Sequence, residues 1–349
     1  SATELVQAWV VRLPSNPSND DAAWECIVKH SDLTIIDHYD RTMRFCHPEC
    51  PPPPGSTDVC YRVYTDDSPI PGTPGLVTLE SGDSECVMRT KLVQIDDCGS
   101  PLNDTRSLVT VALDDIDEWS PVGWINDGHF SHCARNGATP SEVPETVLCG
   151  NNVMVVATQV PSDPVILGSG VRTFDFGDPN SLSAVATQAF VVANEWHDRM
   201  YAFGFNEVAG NCQAENFGRG GAETDPLVVT VSESGNNYGN VLAQRGEYQD
   251  GRVMTVRLFT WGGRYSGVDR TVAFHELSHV LSTRLHVGTV FEGAGGLAGG
   301  LFEGWSDYLA LALTHQSTDS ADESYPVFSW TGRTNSGPHL NHYYFGGTH

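Results

Sequence analysis

His275, Glu276 and His279 stand in the spacing His-Glu-x-x-His, and Glu303 follows 24 residues after the second histidine. On an α-helix, residues i and i+4 lie on one face a turn apart, so both imidazoles can reach a single ion while Glu276 sits beside it. Two histidines and a carboxylate leave zinc a fourth position for water. A neighbouring Glu can take that water's proton as the metal lowers its pKa, and can hand it to a leaving amine. The chemistry implied is metal-assisted hydrolysis. His275, His279 and Glu303 are the expected Zn²⁺ ligands and Glu276 the expected base. Asp307, four residues beyond Glu303, can accept the free ring N–H of a zinc-bound imidazole and so fix its tautomer and aim.

These side chains need two helices and a turn to meet. Residues 271–274 with Val280 and Leu281 give an apolar stripe at helical spacing, which predicts a half-buried helix carrying the histidines. The Gly-rich stretch 293–300 can reverse the chain, and residues 301–313 read as a second helix that returns Glu303 to the metal. Further upstream, Leu182, Val185, Ala189, Val192, Trp196 and Met200 recur at helical spacing and predict an amphipathic helix over 182–203, packed on a sheet. His197 beside its buried face reads as a structural histidine. Otherwise short β-type segments dominate residues 61–265, punctuated by turns such as Asp175-Phe176-Gly177-Asp178-Pro179; from 266 the pattern becomes helical.

The 349 residues suffice for two or three domains with a sizeable core. Nineteen basic against 44 acidic residues give a formal charge of −25, which argues against nucleic acid and anionic membranes as partners. No apolar run approaches the roughly 18 residues of a membrane span, so a soluble chain is expected. Of nine cysteines, eight fall in the first 150 residues, the signature of an oxidising compartment and a disulfide-stapled N-terminal half. Loop length favours Cys86 with Cys98 and Cys133 with Cys149; Cys26, Cys46, Cys50 and Cys60 can pair among themselves, and isolated Cys212 reads as a buried thiol. Cys46-His47-Pro48-Glu49-Cys50 could hold a metal instead, but the prolines 51–54 after it favour an exposed, disulfide-bearing linker. Asn103 heads a usable glycosylation sequon, whereas Pro17 excludes Asn16. The acidic run 114–118 is a possible Ca²⁺ site through hard oxygens, though such runs are more often solvated surface.

The chain resembles the fungalysin metallopeptidases, a secreted branch of the thermolysin-like zinc peptidases. In that family the His-Glu-x-x-His helix supplies two ligands and a Glu in a Gly-Glu-Gly-Trp-x-Asp segment supplies the third. Residues 302–307 match that segment except that Phe302 replaces its first Gly. The likeness continues through 186–188, 194–201, 204–207, 209–211 and 216–221, and through 236–241, which resembles the family's substrate-edge strand. Weaker landmarks are 120–124, 150–153 and 61–64. The resemblance implies an α+β, thermolysin-like fold with a β-rich N-terminal and a helical C-terminal subdomain. It also implies a secreted zinc endopeptidase acting on protein or peptide substrates.

Residues 1–45 carry three apolar segments, 5–12, 23–28 and 33–37, which read as strands and resemble the last strands of the family's inhibitory propeptide. The expected organisation is therefore a propeptide-like piece at 1–45, a Cys- and Pro-rich linker at 46–60, a β-rich subdomain at 61–265 and an incomplete helical subdomain at 266–349. The start without Met and the 46 residues after Glu303 suggest an internal piece of a zymogen whose own propeptide is a partner. Asn335-Ser336-Gly337 faintly resembles an oxyanion-stabilising segment, with Arg333 where a His is usual and His339 and His342 nearby. A surface loop is the simpler reading. The rival function is a non-catalytic extracellular structural or adhesive protein that retains the fold.

Overall fold

A computed structural model describes residues 8–14, 23–29, 35–40, 59–66, 88–89, 94–95, 106–111, 119–125, 133, 148–157, 172–179, 181–231, 239–242, 249–261, 264–286, 297–315, 324–328, 333–334, 337–338 and 341–344. Near the N-terminus, β1 (Ala8–Pro14), β2 (Ala23–Lys29) and β3 (Ile35–Asp40) pair antiparallel in that order, with a register shift between Ile27 and Val28. The three apolar segments are thus strands, displaced by up to three residues from the boundaries the sequence suggested.

The next elements are β4 (Val59–Val63), the ribbon strands β5 (Met88–Arg89) and β6 (Gln94–Ile95), β7 (Ser107–Val111), β8 (Val153–Ala157) and β9 (Arg172–Phe174). Strand β4 takes in Val59 and Cys60, which the sequence reading assigned to the linker. It is flanked by β7, antiparallel, and β9, parallel. After helix α1 (Leu182–Ala202) come β10 (Leu227–Val231), β11 (Gly239–Leu242) and β12 (Thr255–Leu258). They join β8 in a sheet ordered β11-β12-β10-β8, parallel except for β11 on the edge. Alternation sets its faces: Leu227, Val229 and Val231 are buried while Val228 and Thr230 are partly exposed.

Helix α1 packs on β4, β8 and β10. Its cap is local, since the Ser181 hydroxyl accepts the Ala184 N–H at 3.3 Å. Of the apolar positions named from the sequence, Val185, Ala189, Val192, Trp196 and Met200 lie in the core and Leu182 packs against it, but the helix is not amphipathic: every residue from Ser183 to His197 is buried. Its polar residues are accommodated by partners. Gln188 accepts from the Tyr64 N–H at 2.7 Å and donates to the Tyr64 carbonyl at 3.1 Å, extending the β4 chain end as a strand would. Thr187 and Asn194 bond carbonyls one turn back.

The ribbon β13 (Thr260–Trp261) with β14 (Arg264–Tyr265) leads into α2 (Arg270–Leu285) and then α3 (Leu297–Thr314). Asp269, fully buried, caps α2 by accepting from Thr271 N–H at 3.0 Å and Val272 N–H at 3.4 Å. Helix α2 packs against α3, α1, β11 and β12. It is buried almost throughout rather than on one face. Helix α3 begins at Leu297, inside the Gly-rich stretch expected to turn. Two further ribbons follow: β15 (Ser324–Val327) with β18 (Asn341–Tyr344), and β16 (Arg333–Thr334) with β17 (Gly337–Pro338). The region after 266 is thus mixed rather than purely helical, and the described residues form an α+β molecule.

One buried ionic network locks the helices together. The Arg270 guanidinium meets both Glu195 oxygens at 2.9 Å and Asp66 Oδ1 at 2.6 Å. Arg199 pairs with Glu195 and with Asp66 Oδ2 at 2.6 Å, and donates to the Leu313 carbonyl of α3 at 2.6 Å. Both guanidiniums lie over the Phe274 ring, 5.0 and 5.7 Å from its centroid. The end of β4, α1, α2 and α3 therefore converge on the residue just before His275.

Candidate metal centre

The i, i+4 spacing on α2 brings the Nε2 atoms of His275 and His279 to 3.1 Å from each other. From α3, Glu303 Oε2 reaches to 3.1 Å from His275 Nε2 and 3.5 Å from His279 Nε2. A tetrahedral ion with bonds of about 2.0–2.2 Å places its ligand atoms roughly 3.3–3.6 Å apart. The observed separations of 3.1, 3.1 and 3.5 Å lie within or about 0.2 Å under that edge, and the two imidazoles and one carboxylate are zinc-type donors. Two imidazole nitrogens this close cannot both point a proton at each other, whereas one cation satisfies both lone pairs and the carboxylate. The histidines are 5% and 7% exposed and Glu303 is 60% exposed, so the site is walled on the α2 side and open on the α3 side.

The far ring nitrogens are held as well. His275 Nδ1–H donates to Asp307 Oδ1 at 2.7 Å, and His279 Nδ1 is 2.9 Å from Ser306 Oγ. Burial alone would lower His275, but the hydrogen bond to Asp307, then that to Glu303, lifts it to about 9; burial lowers His279. The hydrogen bonds to both imidazoles hold the Glu303 carboxyl well below the usual carboxylate range. Glu276, 5% exposed, is pushed up to about 7, chiefly by burial, with His275 opposing and Glu303 and Asp307 adding to the rise. Among the described residues His275, His279 and Glu303 form the one group of metal-ligand type.

Residues 96–345 match the family described as fungalysin metallopeptidase (M36). The chain belongs to this family. It is 33% identical over 250 residues to the extracellular metalloproteinase MEP of Pyricularia oryzae, covering 68% of this chain and 38% of that protein. Against the extracellular metalloproteinase MEP of Fusarium vanettenii the identity is 35% over 240 residues, 66% of this chain and 36% of the relative. Against extracellular metalloproteinase 3 of Trichophyton tonsurans it is 33% over 249 residues, 68% and 38%. This fungalysin chain thus spans 38% of the length of the first relative and of the third.

Of the residues singled out from the sequence, His275, Glu276, His279, Glu303 and Asp307 are brought together. Cys133 and Cys149 are joined, with Cα atoms 5.7 Å apart, and Cys212 is a buried thiol pushed up to about 12 by burial. His197 is buried, 2.9 Å from Asp198 Oδ1. Asn103, the acidic run 114–118, Cys46, Cys50, Cys86, Cys98 and His339 lie outside the described residues, as do the side chains of Arg333 and His342. Sequence reasoning missed Ser306 and the network of Asp66, Glu195, Arg199 and Arg270. It also missed Asp198, which accepts from Ser120 Oγ at 2.6 Å and Trp124 Nε1 at 2.7 Å and so ties the 120–124 segment of the fungalysin fold to α1. The Glu195–Arg199 pair at i, i+4 was the one local signal available.

Proposed function

We propose that the protein is a secreted zinc endopeptidase in which His275, His279 and Glu303 hold Zn²⁺ and Glu276 is the general base. The observation that carries this is the convergence of the three donor atoms beside a buried Glu. When bound, zinc supplies a Lewis acid that polarises a carbonyl and acidifies water. The chain's own residues do the rest. Glu276, next to His275 in the sequence and buried beside the three donors, suits accepting a proton from the attacking water and releasing it to the leaving amine. Asp307 and Ser306 hold the imidazoles with their Nε2 atoms turned to the metal. Strand β11, on the sheet edge and packed against α2, suits an extended substrate adding as a further strand.

The same reading divides the chain nearly as the sequence suggested: a propeptide end over 1–45, a linker ending before β4, a β-rich subdomain to 265 and the zinc-binding subdomain beyond, with the cleft between the last two. The antiparallel β1–β3 sheet supports the first part, and the position of α2 and α3 supports the last. Secretion is supported by the extracellular relatives and by the Cys133–Cys149 bond. Among the described residues no helix is long and apolar enough to cross a membrane. With the ligands, base and both polar supports all present, nothing in the site favours the non-catalytic alternative.

The test is Glu276→Gln in the full-length protein. The amide keeps shape and loses the base, so the variant should retain one zinc per chain while its kcat on a general protein substrate falls about 10²- to 10⁴-fold. Cleavage at the parent rate would remove Glu276 from the mechanism.

A further inference from the structure

Hydrogen bonds at Nδ1 fix one point of each ligand imidazole but leave the ring free to rock about that point. A phenylalanine ring packs against each imidazole. The Phe302 ring lies on His279 with centroids 4.2 Å apart and planes 25° from parallel. The Phe328 ring meets His275 at 5.0 Å and 64°, edge to face. Phe302 stands where the resembled segment has Gly, so this chain presents a flat ring where that pattern offers no side chain.

Phe328 has φ 63°, a left-handed conformation that bulky residues rarely adopt. Its N–H donates to Thr271 Oγ1 at 3.1 Å, and that hydroxyl donates to Asp269 Oδ1, the α2 cap, at 2.6 Å. The unfavourable backbone is therefore tethered to the first turn of the helix that carries His275. Such a conformation persists only where its surroundings over-determine it. Here they set the ring against a ligand.

We propose that Phe302 and Phe328 are positioning residues, an aromatic brace that holds the His279 and His275 imidazoles in their metal-binding orientation. The proposal rests on the zinc reading above. A braced pair loses less freedom on binding the ion, so the brace acts on metal affinity and coordination geometry rather than on the proton transfers.

The experiment compares full-length wild type with Phe302→Ala, Phe302→Tyr and Phe328→Gly. Glycine suits the left-handed backbone and removes only the ring; tyrosine keeps the flat ring. Zinc affinity is read by competition with a chromophoric chelator, and coordination geometry by the visible spectrum of the Co²⁺-substituted protein. Phe302→Ala and Phe328→Gly should each bind zinc about three- to tenfold more weakly and alter the cobalt band, while Phe302→Tyr matches wild type.

Should Phe302→Ala fail to fold, Phe302→Leu decides, since it fills similar volume without a flat face. Wild-type zinc affinity and an unchanged cobalt band in the ring-deleted variants would overturn the brace, as would lowered thermal stability of the chelated protein with metal affinity intact. Wild type that takes up no zinc would instead contradict the metal centre itself.

Discussion

Asp307 and Ser306 support the two imidazoles unequally. Asp307, 2% exposed, offers a carboxylate to His275 Nδ1–H, whereas Ser306 offers a neutral hydroxyl to His279. Charge-assisted hydrogen bonds are about twice as strong as neutral ones. Asp307→Ala should therefore weaken zinc binding about 10- to 100-fold and Ser306→Ala only a few-fold, measured by chelator competition. Equal losses would mean that the carboxylate's charge is not what matters. The sequence made most of this site legible because its information is local: His275, Glu276 and His279 need only one helical turn, and Asp307 one more from Glu303. Ser306 carried no comparable signal, because an uncharged hydroxyl has no diagnostic spacing. The roles of Phe302 and Phe328 depend on ring contacts that only the fold brings about.

Helices α1, α2 and α3 owe their relative placement to charges that the sequence presents as scattered. Arg270 is 75 residues from Glu195 and 204 from Asp66, so neither pairing can be read from periodicity. The same network explains why α1 looked amphipathic and is not: Glu195 is buried because Arg270 and Arg199 neutralise it. Glu195→Ala would leave Arg270, 1% exposed, short of a counter-charge and should destabilise by about 3–5 kcal/mol in denaturant unfolding. Asp66 gives this network a pH signature. Burial alone would raise its carboxyl, but the Arg199 and Arg270 guanidiniums pull it well below the usual carboxylate range. Its folded pKa is thus lower than its unfolded one. Its stabilisation is present in full above about pH 4 and is lost as pH falls towards the depressed value. The gap in unfolding midpoint between wild type and Asp66→Asn should be widest near neutrality and shrink below about pH 4; a gap that widens on acidification would refute the assignment.

The resemblance made the fungalysin family legible, and the match over residues 96–345 bears it out. Boundaries were less so. The linker expected to reach residue 60 gives way to β4 at Val59, and the helical region after 266 includes the β15–β18 and β16–β17 ribbons, because short strands are defined by distant partners rather than by their own pattern. If residues 1–45 are the end of an inhibitory propeptide, limited proteolysis within 46–58 of the full-length zymogen should release them and raise protease activity. Release without any gain would count against an inhibitory role. Metal dependence bears on the molecule's function more directly still. Full-length protein, freed of its propeptide, should lose cleavage of a general protein substrate on treatment with a zinc chelator and regain it on return of one equivalent of Zn²⁺. Undiminished cleavage by protein shown to contain no metal, or one tightly bound zinc with no cleavage of any protein substrate, would contradict the zinc endopeptidase assignment.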